Sequence, residues 1–225
     1  MSGINPKRMA NPMPAWTHVR DTRFNSLVAN RSGRLLCVKT WILALLFVVT
    51  PTWADWSLNN AQSQLSFVSI KKGDIAEVHR FDQLDGSVDT DGSVTLTIEL
   101  ASVDTAIPIR DQRMREMLFN TNAFPRAILT GKVDASAFKL DMGDIIVSSF
   151  EGKLSLHGQS GPVTAELAVA RLGPNKLLVS SRKPLVLQAG NYDLVEGVEK
   201  LREVAGLSSI SNAVPVSFVL TFDKK

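Results

Sequence analysis

Residues 93–100 read SVTLTIEL, and this octet decides the fold class. Val94, Leu96, Ile98 and Leu100 alternate with Thr95, Thr97 and Glu99. A period of two sends the aliphatic side chains to one face of a strand and the polar ones to the other, so the segment predicts a strand with one buried face. Thr90-Asp91-Gly92-Ser93, just before it, is a hairpin turn of the Asp-Gly type. Upstream, residues 78–88 form a second strand region with a bend expected at Asp85-Gly86, and residues 56–70 a third. In that third region Leu65 and Phe67 share one face and Val68 and Ile70 the other, until Lys71-Lys72-Gly73-Asp74 breaks it.

Downstream the period changes. Over residues 108–120, Ile109, Met114, Met117 and Leu118 fall near helical spacing, with Arg110, Arg113, Arg115 and Glu116 between them. This predicts a short helix from about Arg110, with Asp111 in the first turn, where the helix dipole favours an acid. Pro125 and a strand over 127–133 follow. Residues 145–157 read as a strand with a bulge or bend at Gly152, which turns through Gly158-Gln159-Ser160-Gly161-Pro162 and returns antiparallel over 163–172. The next strand, 177–187, is interrupted by Pro184. Val195, Val198, Leu201 and Val204 recur every third residue and predict a second short amphipathic helix over 194–205. Val214, Val216, Phe218, Leu220 and Phe222 alternate in a closing strand. Seven or eight antiparallel strands with two short helices point to an all-β sandwich or closed barrel. A barrel of about eight strands has room for one small ligand.

Charge narrows the function classes. The chain carries a formal net charge of +3, but residues 1–54 hold seven Lys/Arg and one acid, leaving 18 of the 25 basic and 21 of the 22 acidic residues for 55–225. That remainder has no basic block, which argues against a nucleic-acid partner. Cys37 is the one cysteine, so residues 55–225 have no disulfide, thiolate metal ligand or thiol nucleophile. Trp41 to Val49, WILALLFVV, follows Lys39 and precedes Thr50-Pro51-Thr52-Trp53-Ala54. A basic flank, a short apolar run and a small residue have the parts of a secretory signal. The run is shorter than the roughly 18–20 apolar residues of a membrane-spanning helix. Residues 38–54 are therefore expected to be a signal peptide cut after Ala54, delivering residues 55–225 to the periplasm or exterior without a stable membrane span. Residues 1–37 lack hydrophobic period and are expected to be an extension upstream of a true start at Val38.

The densest cluster of distinctive residues is SVDTAIPIRDQRMREMLFNTNAFPRAIL, 102–129. It resembles the signature stretch of the YceI-like family: an S-[IV]-D-T segment, an Arg-Asp pair opening a helix, and an aromatic-Pro region before a strand. GKLSLHGQSGPV, 152–163, is similar to that family's hairpin, and WSLNNAQSQLSF, 56–67, to its first strand. The resemblance covers about residues 55–170. It implies an antiparallel, lipocalin-like β-barrel, periplasmic or secreted, that holds an isoprenoid chain and has no catalytic residues. The chain departs from the family pattern at SRKPLVLQAGNYDLVEGVEKLREVAGLSSIS, 181–211, where Arg182 and Gly190 do not reproduce the Arg-x-[DE]-[FW]-G-[IL] element and a helix is expected instead.

The leading reading is a carrier of an isoprenoid, a quinone or another amphiphilic lipid, without a cofactor in the catalytic sense and compatible with a homodimer. Phe67, Phe81, Leu96 and Ile98 would face the ligand from the strands, and Met114, Met117, Phe119 and Phe124 from one end. Arg110, or Arg113, would meet a polar headgroup. The blander readings stay open beside it: Arg110 in an internal ion pair with Asp111, and the Met/Phe set as ordinary core. The alternative function is a non-catalytic envelope interaction or stress module whose barrel is filled by its own side chains. His79 and His157 lie on separate strands in no metal-binding motif, and no G-x-S-x-G elbow marks a hydrolase.

Overall fold

A computed structural model describes residues 56–225. The expectations for residues 1–37 and 38–54 lie outside the described residues. Eight antiparallel strands run up and down in chain order. They are β1 (Trp56–Leu58 and Gln64–Lys71), β2 (Ile75–Phe81 and Leu84–Val88), β3 (Ser93–Glu99 and Val103–Asp104), β4 (Arg126–Lys132), β5 (Ile145–Leu156), β6 (Gln159–Gly173), β7 (Lys176–Ser181 and Leu185–Gln188) and β8 (Ala213–Lys224). Each pairs with the next, and β8 pairs back onto both pieces of β1, which closes a barrel. Closure satisfies the backbone donors and acceptors that an open sheet leaves at its edges.

Four of the strands are broken, each for a local reason. One 3-10 turn, Asn60–Gln62, interrupts β1. Opposite it, β2 breaks at Asp82-Gln83 rather than at the expected Asp85-Gly86. The Asn60 side chain bridges the two gaps: its Nδ2 donates to Asp82 O at 2.9 Å and its Oδ1 accepts from Leu84 N at 2.8 Å. A side-chain amide thus stands in for the missing backbone pairing. Leu100–Ser102 interrupts β3 with another 3-10 turn. Pro184 interrupts β7, whose two pieces both pair with β8.

Gly152 is not a bulge. It sits in unbroken register opposite Gly131 on β4 and Val163 on β6. The Phe150 ring lies over both glycines, and a Cβ at either position would come within 2.7 Å of it. The two glycines therefore make room for an inward aromatic ring.

The two ends differ. At the lower end the strands are joined by the tight turn after Val88, a connection over 133–144 and a turn after Gly173. Trp56 and Phe138 stack there with centroids 6.4 Å apart, and the Arg171 guanidinium lies 5.3 Å above the Trp56 ring. Phe150, Leu167, Val169, Leu177 and Phe222 are buried with Trp56, leaving a void of about 70 Å³.

At the upper end, two short hairpins alternate with two helical connections. The first is α1, Pro108–Arg113, continued by a wider turn over Met114–Leu118. It starts earlier than the sequence predicts because Pro108 takes the first helical position, where its missing N–H costs nothing. The second is α2, Val195–Val204, led in by a 3-10 turn over Ala189–Tyr192. The caps touch at Gly197, where a Cβ would lie 2.8 Å from Met117 O and 2.9 Å from Leu118 Cα. Only glycine permits that approach.

Candidate functional site

The inward positions of β1 and β2 change character along the barrel. From the middle upward β1 presents Leu65, Phe67, Ser69 and Lys71, while β2 presents Phe81, His79 and Glu77 across from them. Alternation puts all seven on the inner face. The result is a polarity gradient, with aromatic rings in the depth and charges near the rim.

These residues form one wall of a cavity of about 410 Å³ in the upper half of the barrel. Leu96, Ile98, Ala127, Leu129, Leu154 and Val163 continue the apolar wall around β3 to β6, and Leu187, Val214, Val216 and Phe218 complete it on β7 and β8. Met114, Leu118 and Phe119 roof it from the first cap; Tyr192, Leu194, Val198 and Leu201 roof it from the second. Phe67, Phe81 and Phe119 form a chain of rings 5.3 and 5.8 Å apart.

The charged rim is a network. Arg110, on α1, donates from Nη1 to Glu77 at 2.6 Å and from Nη2 to Thr105 O at 2.6 Å. Lys71 reaches the other Glu77 oxygen at 2.9 Å. The hydrogen bond from Lys71 and the Arg110 charge outweigh desolvation and hold the Glu77 carboxyl below its usual range. Asp111 does not pair with Arg110. It accepts from Thr105 N at 2.9 Å and from the Thr105 hydroxyl, closing the loop before α1.

His79 is 3% exposed, and its Nε2 lies 2.8 Å from Ser69 Oγ. Burial, and then the nearby Arg110 charge, lower its pKa, which keeps the imidazole neutral near pH 7. His79 Nδ1 and Arg110 Nε are both buried without a hydrogen-bond partner. Ser69 and His79 make up two parts of a hydrolytic triad, but no carboxylate orients Nδ1. Among the described residues no cluster of His, Cys, Asp or Glu could hold a metal ion, and no helix is long and apolar enough to cross a membrane.

The cavity gathers seven of the nine residues singled out in the sequence: Phe67, Phe81, Leu96, Ile98, Arg110, Met114 and Phe119. Arg113 also reaches the wall. Met117 and Phe124 are not on it. The Met117 backbone carbonyl backs against Gly197, and the Phe124 ring packs on the β5–β6 hairpin, 4.5 Å from the His157 ring. Helical spacing could not distinguish Met114, which faces in, from Met117, because the wide turn at Met114–Leu118 shifts the phase. The sequence reading missed Glu77, although it lies two and four residues before His79 and Phe81 in the same alternation. It predicted the second cap as a helix over 194–205 but gave it no part in the cavity, where Tyr192, Leu194, Val198 and Leu201 stand.

The chain matches the YceI-like domain family over residues 56–222. Among solved structures it is similar to a polyisoprenoid binding domain from Saccharophagus degradans implicated in plant cell wall breakdown, with 40% identity and a TM-score of 0.74, over 77% of this chain and 99% of that one. BcnA from Burkholderia cenocepacia shares the fold at 19% identity and a TM-score of 0.58, over 73% of this chain and 98% of that one. No curated protein gave a significant match.

Proposed function

Because the chain belongs to the YceI-like domain family, we propose that it is a non-catalytic periplasmic carrier that encloses an isoprenoid or a similar amphiphilic lipid in the upper half of its barrel. The observation that carries this reading is the graded cavity. A volume of about 410 Å³ falls in the range of roughly 300–1,000 Å³ typical of pockets for one small molecule. Its apolar depth suits a hydrocarbon tail, each buried methylene contributing about 0.8 kcal/mol. Its rim of Lys71, Glu77, Arg110 and Arg113 suits the polar end. The tail therefore points toward Phe81 and Leu154 and the headgroup toward α1.

Two further observations support the reading. The relative from Saccharophagus degradans, 40% identical, is described as polyisoprenoid binding. The apolar run at 41–49 with its basic flank has the design of an export signal, which would put the barrel in the envelope, where long-chain lipids must cross an aqueous gap.

The test is native mass spectrometry, with solvent extraction, of the protein purified from its own periplasm. One lipid per chain with an isoprenoid mass is expected. Recovery from the cytoplasm, or repeated recovery of an empty barrel that takes up no added polyprenyl probe, overturns the proposal.

A further inference from the structure

The outer surface beside the cavity mouth is apolar where a soluble rim would be polar. Ile75 and Val78 on β2 are 42% and 70% exposed, Ile107 and Ile109 around the start of α1 are 44% and 53%, and Val204 at the end of α2 is 44%. These belong to one end of the barrel. The Arg110–Glu77 ion pair fastens the first turn of α1 to β2, and Lys72 N bonds to Ser209 O, which brings the chain after α2 to the tip of the β1–β2 hairpin. Val204 also lines the cavity, so on the α2 side one apolar side chain joins interior to exterior. Apolar surface of this kind marks a contact site rather than ordinary solvent-facing structure.

Charge at the rim narrows the partner. The ion pairs here consume Lys71, Glu77 and Arg110. Lys72, exposed at the hairpin tip, and Arg113 take no part in them, and over the hairpin tip and α1 together Lys71, Lys72, Arg110 and Arg113 outnumber Asp74, Glu77 and Asp111 by one. Aliphatic side chains beside two unpaired cations match an anionic bilayer, in which the former enter the acyl boundary and the latter meet headgroups. A tail insoluble in water has a physical reason to leave the membrane through such a surface, because it then passes from one apolar phase to another without crossing water.

We propose that the rim formed by Ile75, Val78, Ile107, Ile109 and Val204 docks on an anionic lipid bilayer and that the ligand passes between bilayer and barrel through the adjoining mouth. The docking surface rests on the carrier reading for its purpose, but not for its test. The protein is purified from its host's envelope, so that every form shares the same N-terminus, and floated with vesicles of phosphatidylglycerol and phosphatidylethanolamine carrying a fluorescent polyprenyl probe. Val78→Asp with Ile109→Asp is compared with Ile145→Asp and Val147→Asp, which remove equally exposed aliphatic groups from β5 on the barrel flank.

The rim pair is expected to lower the vesicle-bound fraction and the rate of probe uptake from vesicles by about tenfold, leaving uptake of the same probe from ethanol unchanged. The flank pair is expected to behave like the parent, and raised salt to weaken flotation of the parent. Parent-like flotation of the rim pair, or an equal loss in the flank pair, overturns the proposal. Flotation decides the docking surface, whereas uptake from ethanol decides the carrier reading, so each fails independently.

Discussion

The lower and upper halves of this barrel are built by the same alternation and reach opposite outcomes. Below, Trp56, Phe150, Leu177 and Phe222 meet in the middle and leave about 70 Å³ empty. Above, the wall is apolar up to its charged rim, yet about 410 Å³ stays open. The difference lies in the connections and in ring placement. Two of the three lower connections are short turns, the third folds Phe138 against Trp56, and the Phe150 ring lies over two facing glycines, so the lower interior is filled. Two of the four upper connections are long, and their helices sit across the end as a roof instead of filling the space beneath it. Binding sites commonly draw on the less tightly packed part of a fold, and this molecule separates the two tasks along its barrel axis. The alternative of a self-filled interior describes its lower half only.

Substitutions sharpen or break that contrast. Phe150→Ala removes the ring that fills the lower half and is expected to destabilise by about 3–5 kcal/mol, read from urea midpoints, while the folded fraction still takes up a polyprenyl probe. A loss below about 1 kcal/mol would mean that the lower half is not the stabilising one. Ala127→Phe places a ring in the hollow from β4. Probe affinity should fall by about tenfold or more while stability changes by less than about 1.5 kcal/mol, since the added volume enters existing space. Unchanged binding would remove the hollow from the account.

The smallest effect concerns pH. The pKa of His79 in the fold is below its ordinary value of 6.5, so protons favour the unfolded chain. Its contribution to stability is complete above 6.5 and is lost as pH falls from there. Glu77 is held below its ordinary 4.5, and its contribution persists until pH falls below that value. Melting temperatures should therefore decline between these two ordinary values, and His79→Gln should flatten the decline. An equal decline in the variant would assign it elsewhere.

Much of this was legible in the residues. SVTLTIEL put Leu96 and Ile98 inward, where they line the cavity, and the three-residue recurrence in 194–205 located α2. What stayed hidden depends on register between distant segments. Glu77 is 33 residues from Arg110, and only the placement of α1 over β2 lets Glu77 replace the neighbouring Asp111 as its partner. Gly152 looked like a bulge because its purpose, space for Phe150, requires knowing that Gly131 lies opposite. Met117 and Phe124 fall outside the cavity lining; for Met117, the wide turn over Met114–Leu118 leaves no mark in hydrophobic periodicity.

The contact at Gly197 has a mechanical consequence. Where side chains meet, a rotamer change can loosen one partner and spare the other. Here the α2 backbone rests directly on the carbonyl of Met117, so there is no side chain to swing aside. The two lids are yoked in one direction: neither can press toward the other without shifting it, and any side chain larger than hydrogen at 197 would wedge them apart.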